Sequence, residues 1–358
     1  MRRGRVGPVI ASLLLCAGCT FGTPRAAPPV PSVSPTPQPK PTPTPTLVLA
    51  TYGGDDVAWP NLKHPIPAPP TLGAILTTGR VMLDSGRAFP AGLSLPRIGG
   101  TATSPLVLTP CNHRVRITGG AFRAVAPAAP GETLVVLDPG HGGHEPGAVA
   151  KDGTREATRN LQLSLAVRDA LDGHVDRVVL TRTMDRDTSL AFRVALADAL
   201  RAGLTVSLHL NAVPDGPSDH PGTSTFASLA EKNGRRAAGV LFQAERRYLE
   251  TLTPELRGKW VANRDAGALY RIGSRGDFYY QLRNSHVPWV ISEALYISNP
   301  AEAALIARPD VRAGLAHAIA GGIVEYFGAK DPGSGWRRPL PRPSGPAGGE
   351  IPCAEPSA

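Results

Sequence analysis

Apolar residues recur through the second half of the chain in two distinct rhythms. The first is a short, mostly apolar run, found at residues 133–138, 177–181, 204–208 and 288–292, with the more polar 222–227 as a further strand candidate. Runs of this length, rich in Val, Leu and Ile and bounded by polar or turn residues, predict strands buried on both faces, as in a mostly parallel sheet. The second is the helical spacing of apolar positions in residues 158–167, 190–200, 232–249 and 311–327. In the last of these Val311, Leu315, Ile319 and Ile323 stand four apart and line one face, which predicts core packing. Strands alternating with helices predict an α/β fold: a mostly parallel central sheet flanked by helices, over residues 131–329.

Upstream the pattern changes. Residues 72–126 carry short strand-like pieces at 79–83, 91–95 and 114–118, separated by Gly and Pro turns, and predict a small β-rich N-terminal module. Packing on the larger domain is its expected role, ahead of polymer binding. Residues 19–47 are rich in Pro, Thr and Ser and read as an extended polyproline tether, and residues 330–358, rich in Pro, Gly and Arg, read as a disordered tail. Residues 1–18 open with Met1-Arg2-Arg3-Gly4-Arg5 and continue into a short apolar stretch, the layout of an export signal. The run Leu15-Cys16-Ala17-Gly18-Cys19 resembles a bacterial lipobox, which implies cleavage before Cys19 and a lipid anchor on it; plain secretion is the alternative. Cys111 and Cys353 then remain as an even pair in an oxidising compartment, open to bridging or to two free thiols.

Charge adds a partner class and removes another. Lys and Arg number 38 against 29 Asp and Glu, a net charge of +9, which for an exported protein favours anionic walls or membranes. Aromatics make up only 5% of residues and do not interleave with a basic stripe, so nucleic acid is excluded as a partner.

The candidate chemistry sits at strand ends. His141 follows the run Leu134-Val135-Val136-Leu137 on the glycine turn Asp138-Pro139-Gly140-His141-Gly142-Gly143, and His209 directly follows Leu204-Thr205-Val206-Ser207-Leu208. In α/β sheets ligands gather at the carboxyl ends of strands. Two imidazoles there suggest a metal, and catalytic zinc takes three protein ligands from His and Asp or Glu with a fourth position open. Two carboxylates are in range of that role: Glu156, whose plainer reading is a first-turn acid favoured by the helix dipole, and Glu293, which closes an apolar strand and needs a partner. His144 reads as solvent-facing, Asp185 and Asp187 as a solvated turn, Arg193 as a structural ion pair or carbonyl cap, and Asn211 as a possible partner of a ligand. His64, His113, His174, His220, His286 and His317 lack a ligand-like context.

From Thr133 to Phe327 the chain resembles the zinc-dependent N-acetylmuramoyl-L-alanine amidases. The resemblance is carried, in order, by Leu137 to Gly143 with Pro146-Gly147-Ala148, Arg155-Glu156 with Asn160-Leu161, Leu180-Thr181-Arg182 with Leu190 and Arg193, Ser207-Leu208-His209-Leu210-Asn211-Ala212, Gly222-Thr223, Asn263-Arg264, Leu282-Arg283, and Ser292-Glu293-Ala294-Leu295-Tyr296-Ile297-Ser298-Asn299-Pro300. Glu145, Leu210 and Ala294 depart from common family choices without touching a ligand position. The resemblance implies a Zn2+ held by His141, Glu156 and His209, and Glu293 as the catalytic carboxylate. It implies hydrolysis of the amide between N-acetylmuramic acid and the L-alanine of peptidoglycan stem peptides, on the cell-wall side of the membrane. The interval from Ala227 to Asn263 holds one strong helical candidate, 232–249, so no extra covering helix and no protein activator are expected. The competing readings are another zinc hydrolase of the wall, a peptidase or deacetylase, and an inactive wall-binding lipoprotein.

Overall fold

The computed structural model describes residues 74–77, 81–84, 86, 88–90, 92–213, 218–252, 267–273, 276–336, 340–341 and 352–356. The export signal, Cys19, the tether, His64, Asn263 and Arg264 lie outside the described residues.

The N-terminal part forms β1 (Ala74–Thr77), β2 (Val81–Leu83), β3 (Ala88–Phe89), β4 (Ser94–Gly100), β5 (Pro105–Leu108), β6 (Arg114–Gly119) and β7 (Phe122–Val125). They make an antiparallel sheet in the order β3-β2-β6-β5-β4-β1-β7. Only three strand-like pieces of this module stand out in sequence, because its other strands are two to four residues long and carry little alternation.

The larger part runs β8 (Leu134–Pro139), α1 (Glu156–Ala170), β9 (Arg177–Leu180), α2 (Leu190–Leu200), β10 (Leu204–Asn211), β11 (Ser224–Ala227), α3 (Lys232–Leu252) and β12 (Gly267–Leu269). It continues with β13 (Arg271–Gly273), β14 (Gly276–Asp277), α4 (Tyr280–Asn284), β15 (Trp289–Tyr296), α5 (Pro300–Ala307), α6 (Pro309–Gly328) and β16 (Leu340–Pro341). The central sheet has the order β12-β11-β15-β10-β8-β9. β15, β10, β8 and β9 are mutually parallel, and β11, with β12 parallel to it, runs antiparallel to them. This is the mostly parallel α/β sheet that the apolar runs predict.

Alternation along β8 sets the layers. Val135 and Leu137 join the cluster that contains Leu163 and Val167 of α1, Leu241 of α3 and Ile319 of α6. Leu134 and Val136, pointing the other way, join Phe192, Leu196 and Leu200 of α2. Helix α2 starts cleanly because the Ser189 hydroxyl accepts the N–H of Phe192 at 3.2 Å. Its second face is covered by the β module, whose Ile75, Val81, Phe89, Leu95, Val107 and Ile117 belong to the same cluster. Module and sheet therefore share one interior, with α2 between them. Phe192, Leu196 and Leu200 are each fully buried there, worth about 1.5–3 kcal/mol apiece by area.

The tail departs from the expected disorder wherever it is described. Trp336 stacks on Tyr270 with ring centroids 5.1 Å apart, Ala268 donates its N–H to the Gly335 carbonyl at 2.9 Å, and β16 pairs with β13. Cys353 is bridged to Cys111. Composition misleads here because a Pro- and Gly-rich segment forms no core of its own but can be laid onto one already built.

Candidate metal centre

His141, Glu156 and His209 converge at the carboxyl end of the sheet. One ligand-type atom from each lies within 4.8 Å of the other two, and among the described residues this is the one cluster of His, Cys, Asp and Glu so arranged. Each arrives by a different route. His141 stands two residues past β8 with φ of 59°, the left-handed region that non-glycine residues rarely occupy and that functional sites often hold under constraint. Glu156 is the first residue of α1. His209 is within β10, which extends to Asn211, beyond the 204–208 run that sequence marks.

Glu156 is the hub. Its Oε1 lies 3.2 Å from His141 Nε2 and 3.1 Å from His209 Nδ1, and it accepts the Leu210 N–H at 3.1 Å. Its Oε2 accepts the Ala148 N–H at 2.9 Å, and the amide of Asn160, one turn further along α1, donates to Oε1 at 3.2 Å. Burial pushes the Glu156 carboxyl up, but His141, His209 and these hydrogen bonds outweigh it and hold the group well below its usual range. His141 shows the reciprocal effect: burial lowers it, the charges of Glu156 and Glu145 overrule burial, and it is raised to about 10. Glu145 Oε1 is 3.1 Å from His141 Nδ1, close enough for an ion pair, yet off the line a hydrogen bond needs.

Glu293 occupies β15 at the position paired with His209 on the adjacent parallel strand, so both side chains leave the sheet at one level. Directly beyond, the register slips between His209 and Asn211, a bulge of the kind that re-aims side chains beside active sites. Oε2 of Glu293 is shut from solvent and has no hydrogen-bond partner among the described residues. Burial raises its pKa to about 7, Glu156 adds to the rise, and His209 and His141 oppose it.

Arginines build the frame. Buried Arg193 donates to Asp138 Oδ1 at 2.5 Å, to the Pro139 carbonyl at 2.7 Å and to the His141 carbonyl at 2.9 Å. This is both of the roles, ion pair and carbonyl cap, that its place in the sequence suggests. Asp138 also accepts the hydroxyls of Thr181 and Ser207, each at 2.6 Å. Burial pushes Asp138 up, but Arg193 and the hydroxyls prevail and keep it below its ordinary value. Arg182, fully buried, donates to the carbonyls of Pro139, Gly140 and Ala157.

The turn residues need correction. Asp187 is 6% exposed and is no solvated turn residue; its Oδ1 accepts the His144 N–H at 2.8 Å and its Oδ2 meets His144 Nδ1 at 2.7 Å. His144 itself is half exposed and takes no part in the cluster. Asn211 hydrogen-bonds no ligand: its Oδ1 accepts the Ala212 N–H, and the polar contact to a ligand comes from Asn160 instead. The signal for Asn160 was available, since it stands one helical turn after Glu156. A largely apolar groove of about 880 Å³ opens along Ala148, Ala150, Ala212, Val213, Ile297 and Ala303, and Ala148 is the residue whose N–H meets Glu156.

The donor set suits zinc. Two imidazoles and a carboxylate converge within 4.8 Å of one another, the donor types of a catalytic zinc site. Such a cluster at the carboxyl end of an α/β sheet could hold a metal ion, a layout that hydrolases use. The sequence profile of the N-acetylmuramoyl-L-alanine amidase family matches residues 135–325, more than half of the chain, and the chain belongs to that family of enzymes. It is 27% identical over 245 residues to the N-acetylmuramoyl-L-alanine amidase AmiA of Escherichia coli (strain K12), covering 60% of this chain and 82% of that protein. It is 30% identical over 211 residues to the germination-specific N-acetylmuramoyl-L-alanine amidase of Bacillus subtilis (strain 168), covering 55% and 81%. Among solved structures, an N-acetylmuramoyl-L-alanine amidase from Clostridium difficile 630 is similar at 27% identity and a TM-score of 0.48, covering 56% of this chain and 99% of that one.

Proposed function

We propose that the protein is a zinc-dependent amidase of the cell wall that cleaves the bond between the lactyl group of N-acetylmuramic acid and the L-alanine of the stem peptide. The observation that carries this reading is the meeting of His141, Glu156 and His209 beside a buried Glu293 oxygen that has no partner among the described residues. Zinc held by the three ligands would polarise the amide carbonyl and make a water nucleophilic near neutral pH. Glu293 Oε2 takes the proton of the attacking water and returns it to the leaving L-alanine nitrogen, a contribution of about 10²–10⁴-fold. Arg193 and Arg182 hold the carbonyls of the loop that carries His141, so the ligand does not wander as charge develops. The apolar groove beside Ala148 and Ala212 would receive the stem peptide next to its scissile bond.

The sequence ahead of the described residues supports export and a lipid anchor at Cys19, with the Pro-rich tether giving reach to the wall. No activator protein is proposed: among the described residues the interval from Ala227 to Asn263 holds one helix, α3, which packs in the core against α6 and the sheet. The test is digestion of purified peptidoglycan by the full chain with measured zinc content. The reading expects one zinc per chain and new L-alanine amino termini without a partner protein. Release of acetate, or cleavage within the stem peptide, would point to the deacetylase or peptidase reading instead.

A further inference from the structure

The C-terminal segment 352–356 lies outside the matched family region, yet it reaches the loop that carries His141. Ala354 donates its N–H to Asp187 Oδ2 at 2.9 Å. The same carboxylate grips the loop: Oδ1 accepts the His144 N–H, Oδ2 meets the His144 ring, and a Cβ on Gly143 would fall 2.3 Å from Oδ1. On either side of Ala354 the segment is fastened to the β5–β6 turn of the module. Cys353 is bridged to Cys111. Glu355, nearly buried, accepts from the Thr109 hydroxyl, from the Cys111 N–H at 3.4 Å and from His113 Nδ1 at 2.7 Å. That turn touches the frame a second time, since the Pro110 carbonyl accepts the N–H of Ser189, the cap of the helix that carries Arg193.

We propose that Asp187 is a positioning residue for the metal-site loop and that segment 352–356, locked by the Cys111–Cys353 bridge, clamps it there. A chain end held by a few hydrogen bonds frays, whereas a covalent tie beside them keeps the segment at high effective concentration. With Oδ2 also committed to the Ala354 N–H, Asp187 is held on a third point besides its two contacts with His144.

The inference rests on the amidase reading for its zinc and activity readouts, and on the loop alone for hydrogen–deuterium exchange. The experiment compares the full chain with Asp187→Asn, with the double change Cys111→Ser, Cys353→Ser, and with all three together, each well below its unfolding midpoint. Three quantities are read: hydrogen–deuterium exchange of amides 141–147, zinc affinity by chelator competition, and kcat against KM on a muramoyl-peptide. Each variant should speed exchange of the His144 amide and weaken zinc by about tenfold, with kcat falling and KM little changed. The triple variant should be no worse than Asp187→Asn, because both changes act through one carboxylate. Unchanged loop exchange and zinc affinity in the bridge-free variant, even with a lower melting temperature, would reduce the bridge to a stability tie and overturn the proposal. If loop exchange responds as expected but no variant binds zinc or cleaves the amide, the clamp stands and the amidase reading falls.

Discussion

Gly140 lies so close against the imidazole of His209 that a Cβ built on it would fall 2.2 Å from both Cε1 and Nε2 of the ring. The backbone of the His141 loop thus fixes the rotamer of His209, a candidate ligand on another strand. A methyl group at this position must push the ring away or shift the loop. Gly140→Ala is expected to keep the fold but weaken zinc by at least about tenfold, checked by chelator competition and by circular dichroism of the metal-free protein. Gly147 is the companion case, with φ of 68° and a would-be Cβ 2.6 Å from Glu156 Oε2.

Zinc binding and catalysis should separate at Glu293, which faces the ligands without being one of the three. Glu293→Gln keeps the volume and loses the base, so the protein should retain its metal while kcat drops by about two to four orders of magnitude. His209→Ala should lose the metal. Metal analysis beside turnover decides between the roles, and loss of zinc from Glu293→Gln would make this residue a ligand.

Arg193 and Asp138 form a buried ion pair beneath the His141 loop. Arg193→Ala strands the Asp138 charge and should cost about 3–5 kcal/mol in denaturant unfolding. Arg193→Lys keeps the charge but not the fork that spans the Pro139 and His141 carbonyls. It should therefore cost less stability while still weakening zinc.

Glu245 on α3 is fully buried against the hydroxyls of Ser292 and Thr223, and burial raises it to about 7 despite both hydrogen bonds. Its folded pKa lies above the unfolded value, so its share of stability is complete below about pH 4.5 and is lost as pH rises through 7. The shift corresponds to a loss on the order of 3 kcal/mol. Glu245→Gln should flatten this part of the curve, and melting temperatures at pH 5 and pH 8 should lie closer together than in the parent protein.

The central sheet was legible because its strands are buried on both faces and so spell mostly apolar runs. His141 and His209 were legible because glycine turns and strand ends expose them against that background. What escaped was whatever depends on residues distant in sequence. Asp187 looks like a turn acid until Ala354, 167 positions later, returns to it. Arg182 enters the family resemblance with no role of its own, and only the fold sets it against the carbonyls of Pro139, Gly140 and Ala157. Strands β10 and β15 run past their apolar cores because His209 and Glu293 are held by neighbours that no local pattern announces.

Helix α2 has no side turned to water along its apolar length: one flank meets the sheet and the other meets the β module. A fragment trimmed to the family-matching half would strip the module from the second flank of α2 and lay bare apolar surface there, the kind that drives monomers to aggregate. Domain shuffling could not lift this catalytic half onto another scaffold unless the new neighbour brought a matching cover. The smallest inheritable unit of this enzyme therefore begins well upstream of its chemistry.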